Sequence, residues 1–114
     1  LKGDTTTAVK EFKNVVATTK TIAAAEAKYN LAFLEYMKGD YKTSSKTCFD
    51  LINNMASYDY WVAKAFILLS DNYVALKDNL QAKSTLLSII DNYEGKDDII
   101  PTAKEKLEKL NKKK

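Results

Sequence analysis

Few kinds of reactive side chain are available to this chain. It has no histidine, a single cysteine at position 48, and 18 lysines that make up all of its positive side chains. Histidine is the commonest general base and metal ligand, and arginine is the usual bidentate reader of phosphate and guanine. Clustered carboxylates and a glycine-rich phosphate loop are also lacking in the sequence. This composition disfavours an enzyme, a metal or other cofactor, and specific recognition of nucleic acid.

The lysines are concentrated at the C terminus. Residues 104–114 hold six lysines against two glutamates, whereas the whole chain carries a formal charge of only +3. Such a segment could contact an anionic membrane or nucleic acid without sequence preference. It could equally form the polar outer face of a terminal helix, whose dipole favours lysine near its C-terminal end. We favour the second interpretation, and we interpret Asp97 and Asp98 as the cap and first-turn charge of that helix.

The elements that position these residues are predicted to be helices. Apolar residues recur at helical spacing throughout, and three glycines and one proline are too few for a many-stranded sheet. The spacing predicts helices over residues 5–18, 22–38, 41–54, 60–77, 80–93 and 100–111. Gly39 is suited to end a helix, and Asp40 is suited to cap the next one. The wide apolar stripe of residues 60–77 predicts a helix that is buried on two sides.

The sequence also repeats itself. The tripeptide Lys-Gly-Asp occurs at residues 2–4 and 38–40, and an offset of 36 aligns Phe12 with Cys48. An offset of 38 places Lys77-Asp78 under Gly39-Asp40 and Leu86 under Cys48. The repeating unit is therefore a helix, a tight turn and a second helix, with a period of 36 to 38 residues. Since Cys48 shares its position with two apolar residues, we interpret it as a core residue rather than a reactive thiol.

Two segments, AEAKYNLAFLEYMKGDYKTSSKTCFDLI (25–52) and AKAFILLSDNYVALKDNLQAKSTLLSII (63–90), resemble the tetratricopeptide repeat. The positions that match the family pattern are Ala32, Gly39, Asp40, Tyr41, Ser44, Phe66, Leu69, Ser70, Tyr73 and Ala82. Lys28 and Glu35 depart from the pattern, which has aromatic residues at both positions. The resemblance implies an all-α fold in which antiparallel helix-turn-helix repeats stack as a right-handed solenoid of about six helices. A plain helical bundle is the alternative.

Within this single domain, the resemblance divides residues 1–114 into four parts. Residues 3–20 would be the second helix of a truncated repeat, residues 22–54 and 60–93 two complete repeats, and residues 99–113 a C-terminal capping helix. The chain begins with Leu1 rather than methionine, so we expect a fragment of a longer, bacterial protein. The cytoplasm and the periplasm or cell envelope remain alternative compartments. No apolar run is long enough to predict a transmembrane segment.

The resemblance implies a protein-protein interaction scaffold, without a cofactor, that binds a protein or peptide partner through its concave face. The ligand-facing positions of the family fall here on Glu26, Tyr29, Phe33, Tyr36, Met37, Lys64, Ile67, Asp71, Val74 and Ala75. In a longer protein, an upstream repeat could instead cover Tyr29 and Phe33 as core. Exposed repeat ends could also support self-association. Only Asn30 matches the family's carboxylate-binding subtype, which disfavours recognition of a C-terminal carboxylate.

The aromatic residues Tyr58, Tyr60 and Trp61 leave two interpretations open. They could anchor a partner on the surface, since large aromatic side chains dominate many protein interfaces. They could instead fill the long connection between the two complete repeats. We favour the second interpretation.

Overall fold

The chain folds as helices joined by short connections. The computed structural model describes residues 22–55 and 59–112, and these residues form five helices and no strand. The helices are α1 (Ile22–Met37), α2 (Tyr41–Asn54), α3 (Asp59–Ala75), α4 (Asn79–Asn92) and α5 (Ile99–Lys112). Each begins and ends within two residues of its predicted limits, and the all-α prediction is confirmed. The helix predicted over residues 5–18 lies outside the described residues, as do Tyr58, Lys113 and Lys114.

The turn after α1 and the turn after α3 share one backbone conformation. At the first, the amide of Gly39 donates to the Tyr36 carbonyl and that of Asp40 donates to the Glu35 carbonyl, both at 3.0 Å. Residues 77 and 78 make the matching pair of bonds to residues 74 and 73. This pattern needs a left-handed residue after the helix. Gly39 has φ of 83°, and Lys77 adopts the same region with φ of 67°.

Because Lys77 has a Cβ and Gly39 does not, the two turns differ in strain. A side chain in the left-handed region costs about 1 kcal/mol relative to glycine. No atom lies within 4 Å of a Cβ built on Gly39, so backbone conformation alone sets the cost there. We therefore expect Lys77→Gly to raise, and Gly39→Ala to lower, the free energy of unfolding by about 1 kcal/mol each. Urea unfolding followed by circular dichroism measures both, and a destabilising Lys77→Gly would contradict the prediction.

Small residues allow α1, α2 and α3 to approach closely around one buried polar group. Ser44 of α2 donates to the Ala32 carbonyl of α1 at 2.7 Å. The Asn72 side-chain amide of α3 donates to the Ser44 hydroxyl at 2.9 Å and to the Leu68 carbonyl at 3.2 Å. Ala32, Ser44 and Asn72 are all at most 1% exposed. This network ties three helices together at one point.

The two departures from the repeat pattern have polar partners on α2. Lys28 forms an ion pair with Asp50. Glu35 is buried, and its carboxylate accepts a hydrogen bond from Thr47 Oγ1 at 2.6 Å. Buried polar groups are tolerated when they are hydrogen-bonded. The two contacts join α1 to α2 at points two helical turns apart on α1.

The core consists of two clusters that share α3. The first joins buried residues of α1, α2 and α3, and the second joins those of α3, α4 and α5. Leu68 and Leu69 contribute to the first cluster, whereas Ala63 and Ile67 contribute to the second. Phe66 packs against both. The prediction that this helix is buried on two sides is confirmed.

Cys48 lies in the first cluster, as predicted. Its side chain has no exposed surface, and burial raises the pKa of the thiol to about 12, with the nearby Glu35 as a smaller cause. The thiol is therefore protonated at neutral pH and acts as a small apolar group.

The helices pack in a regular order. Each helix contacts its neighbours along the chain, and α3 also contacts α1 and α5. Within the described ranges, no Cα atom of α2 lies within 8 Å of one in α4. The helices α1, α3 and α5 therefore share one side of the molecule, which we call the α1/α3/α5 face.

Candidate functional site

The structure places most of the predicted partner-binding residues on the α1/α3/α5 face, in two groups. Tyr29, Phe33 and Lys64 come together near the N-terminal half of α3, and Tyr36, Asp71 and Val74 come together near its C-terminal half. Phe33 is 43% exposed and Met37, one helical turn later, is 66% exposed. The remaining members of both groups are half-buried, whereas Glu26 is exposed.

Ile67 differs from its prediction. It is only 9% exposed and belongs to the second core cluster, with Leu86 and Ile99. The helix α5 packs against α3 and α4, and the side of α3 that carries Ile67 faces that cluster. Its side chain is therefore part of the core rather than a ligand-facing surface.

The first group is an aromatic cluster, which we define as Tyr29, Phe33, Tyr60 and Trp61. Tyr29 stacks on Phe33 with ring centroids 6.4 Å apart and contacts Trp61 at 5.7 Å. Tyr60 meets Trp61 edge to face at 5.3 Å. These separations are typical of favourable aromatic pairs. Trp61 thus packs between α1 and α3, and its ring is only partly buried.

Burial changes the pKa of Tyr29, a member of the aromatic cluster. Desolvation, with a smaller contribution from the Asp71 carboxylate, raises the pKa of Tyr29 to about 12. The phenol is therefore neutral at physiological pH. The ring is available as an apolar surface and as a partner for cations.

The second group lines a groove of about 420 Å³. Its lining residues come mainly from α1, α3 and α5 and are Tyr36, Ser70, Asp71, Val74, Ala75, Leu86, Thr102, Glu105, Lys106, Lys109 and Leu110. Four of these side chains are charged and four are aliphatic, so the groove can offer both polar and apolar contacts to a ligand. The groove is open, and Met37, which follows the lining residue Tyr36 in the chain, is exposed.

An ion pair between α3 and α5 lies in the wall of this groove. The Lys106 ammonium donates to both carboxylate oxygens of Asp71, at 3.0 and 3.2 Å. Burial raises the pKa of Asp71 above its usual value, and the nearby Lys106 partly opposes that shift. Because the effect of burial on this pKa is larger than that of Lys106, ionisation of Asp71 opposes folding. The contribution of Asp71 to the free energy of unfolding therefore declines as pH rises above the usual pKa of an aspartate. The bridge orients α5 against α3.

The sequence pattern placed Asp71 on this face but did not identify the residues of α5 that complete the groove. The repeat in the sequence does point to these residues of α5. Extending the offset of 38 once more carries Lys64, Ile67 and Asp71 onto Thr102, Glu105 and Lys109. All three line the groove.

Most of the lysines of α5 are engaged within the protein. Lys109 pairs with Glu105 at 3.3 Å and Lys112 pairs with Glu108 at 3.0 Å, one helical turn apart and exposed. Such exposed pairs contribute little to stability. At the other end of the helix, the Asp97 carboxylate accepts a hydrogen bond from the Ile99 amide at 3.0 Å. The predicted first-turn charge is not found: Asp98 directly precedes the helix, its carbonyl accepts from the Thr102 amide, and the first turn of α5 holds no acidic residue.

Across residues 22–55 and 59–112, no group of three or more cysteine or carboxylate side chains is placed to hold a metal ion. None of the five helices described here is long and apolar enough to cross a membrane.

No protein-family model matches the sequence, and no curated protein or solved structure matches it either.

Proposed function

We propose that this chain is a non-catalytic protein-interaction scaffold that binds a protein or peptide partner through the α1/α3/α5 face. In this proposal the helices form a right-handed, tetratricopeptide-like solenoid of six helices, with residues 5–18 as the first. The packing order supports it, because α3 contacts α1 and α5 while α2 and α4 stay apart. In stacked repeats each unit likewise contacts only its neighbours.

The exposure of Phe33 and Met37 is the observation that carries this proposal. Both are large apolar side chains of α1: Phe33 belongs to the partly buried aromatic cluster, and Met37 follows it one helical turn later. Apolar and aromatic side chains beside a groove are typical anchors for a peptide partner. The ion pair between Asp71 and Lys106 and the hydroxyl of Tyr36 would supply polar contacts for orientation.

We expect the double variant Phe33→Ser and Met37→Ser to weaken partner binding by about a hundredfold, since each lost anchor is worth roughly 1 to 2 kcal/mol. The matched control replaces Leu80 and Leu87, which are exposed on α4 away from this face, with serine. Affinity capture with the immobilised wild-type chain identifies the partner, and calorimetry with that purified partner gives the affinities. Circular dichroism checks that both variants keep the helical fold.

Equal affinity of the wild type and the Phe33/Met37 variant would overturn the proposal. So would an equal loss of affinity in the Leu80/Leu87 control, because binding would then depend on another face of the molecule.

A further inference from the structure

Lys64 occupies an unusual position in the aromatic cluster. Its ammonium nitrogen lies 4.9 Å from the centroid of Tyr29, 5.6 Å from that of Trp61 and 5.7 Å from that of Tyr60. Cations within about 6 Å of a ring centroid are attracted by the π-system. Rings from two helices, α1 and α3, therefore hold one lysine side chain in place.

This ammonium has no anionic partner in the described part of the chain. No carboxylate there lies within 4.0 Å of Lys64, whereas Lys28 and Lys106 each pair with an aspartate. The Asp98 carboxylate reaches the aromatic cluster, but it accepts the Tyr60 hydroxyl at 3.2 Å rather than contacting Lys64. A lysine ammonium carries three N–H donors. Those of Lys64 make no hydrogen bond within residues 22–55 and 59–112, and the residue is half-buried.

From this geometry, and on the basis of the proposed function, we propose that Lys64 anchors an acidic side chain of the partner. The partner segment would carry an aspartate or glutamate next to apolar residues, with the carboxylate on Lys64 and an apolar side chain on Phe33. Charge complementarity favours this occupant, because the rings hold the ammonium without neutralising its charge. A cationic partner would have to displace Lys64 from three rings.

Two physical effects favour such a contact. Because the rings already restrict the Lys64 side chain, less conformational entropy is lost when a ligand binds. The rings also exclude water from one side of the ammonium, which strengthens its attraction for a carboxylate relative to that of a fully solvated lysine. The exposed Phe33, stacked on Tyr29, offers apolar surface directly beside this site.

Selection from a random dodecapeptide phage library tests the inference even while the natural partner is unidentified. The library is selected against the wild type, Lys64→Met, Lys64→Arg and, as an apolar-anchor variant, Phe33→Ser. We expect peptides selected on the wild type and on Lys64→Arg to carry aspartate or glutamate beside apolar residues. We expect the acidic preference, but not the apolar one, to disappear on Lys64→Met.

Binding of the best selected peptide is then measured with blocked termini, so that its only carboxylates are side chains. Trp61 is the only tryptophan of the chain and touches Tyr29, so its fluorescence reports binding at this site. Changing the acidic residue of the peptide to its amide should lower the affinity for the wild type about tenfold, as loss of a charge-assisted hydrogen bond predicts. The same change should alter the affinity for Lys64→Met less than about twofold.

The outcomes separate this inference from the proposed function. Peptides selected on the wild type could lack acidic residues and yet fail to bind Phe33→Ser. That result would overturn the role of Lys64 and support partner binding through the α1/α3/α5 face. An acidic preference that persists on Lys64→Met would also overturn the inference. Failure to enrich any peptide on the wild type would count against both proposals.

Discussion

Replacement of Asn72 by aspartate should lower the free energy of unfolding by about 4 kcal/mol at pH 7, because a buried carboxylate commonly has its pKa shifted by several units. Asn72 has no exposed surface, and its amide nitrogen donates to Ser44 and to the Leu68 carbonyl. That carbonyl can only accept, which fixes the orientation of the amide. The remaining atom, Oδ1, has no donor within the described part of the chain. An aspartate would bury a charge among acceptors.

The size of this loss should depend on pH. Burial raises the pKa of such a carboxyl group in the folded state above its value of about 3.9 in the unfolded chain. Below that value both states are protonated, and the electrostatic penalty disappears. As pH rises towards 7, the unfolded state ionises first and the penalty grows.

Urea unfolding at pH 4 and pH 7, followed by circular dichroism, measures this dependence. Asn79→Asp is the matched control, since Asn79 is exposed in the first turn of α4, where a negative charge suits the helix dipole. The control should be neutral or slightly stabilising. An equal loss of stability for Asn72→Asp at both pH values would show that the carboxylate is not desolvated.

Truncation of Leu69 to alanine should cost about 3 kcal/mol of unfolding free energy, the usual range for a buried leucine. Leu69 is almost fully buried in the first core cluster, where it packs with residues of α1 and α2. The loss combines the transfer of apolar surface and the cavity left behind. Leu80→Ala is the control because Leu80 is 80% exposed, and it should change stability by less than about 0.5 kcal/mol.

Urea denaturation compares the two leucine variants, with all curves fitted to the same dependence of unfolding free energy on urea concentration. A loss near zero for Leu69→Ala would mean that the surrounding helices close around the missing atoms. A large loss for Leu80→Ala would mean that its side chain is covered in solution.

Features that depend on local sequence were predictable. Helix limits follow from apolar spacing and from residues such as Gly39, because the conformation at a helix end is decided within a few residues. The burial of Cys48 followed from its register with Leu86, which is buried as well.

Features that depend on how the helices cross were not predictable. Asn72 and Glu35 are polar residue types that usually lie on the surface, yet both are buried here, and each has a hydrogen bond to an α2 hydroxyl, of Ser44 or Thr47. Asp71 was assigned to a partner, but Lys106 reaches it from a helix 35 residues later. Periodicity defines the face of a helix, whereas the occupant of that face depends on tertiary packing.

The sharing of α3 between the two core clusters has a consequence for cooperativity. Each cluster packs against a different side of this one helix. Local unfolding of either cluster would therefore remove about half of the packing contacts of α3. Nearest-neighbour coupling of this kind makes the two halves unfold together. Amide protons of α3 should consequently exchange only through global unfolding, whereas those of α5, which contacts only α3 and α4 among the described helices, should exchange through smaller openings.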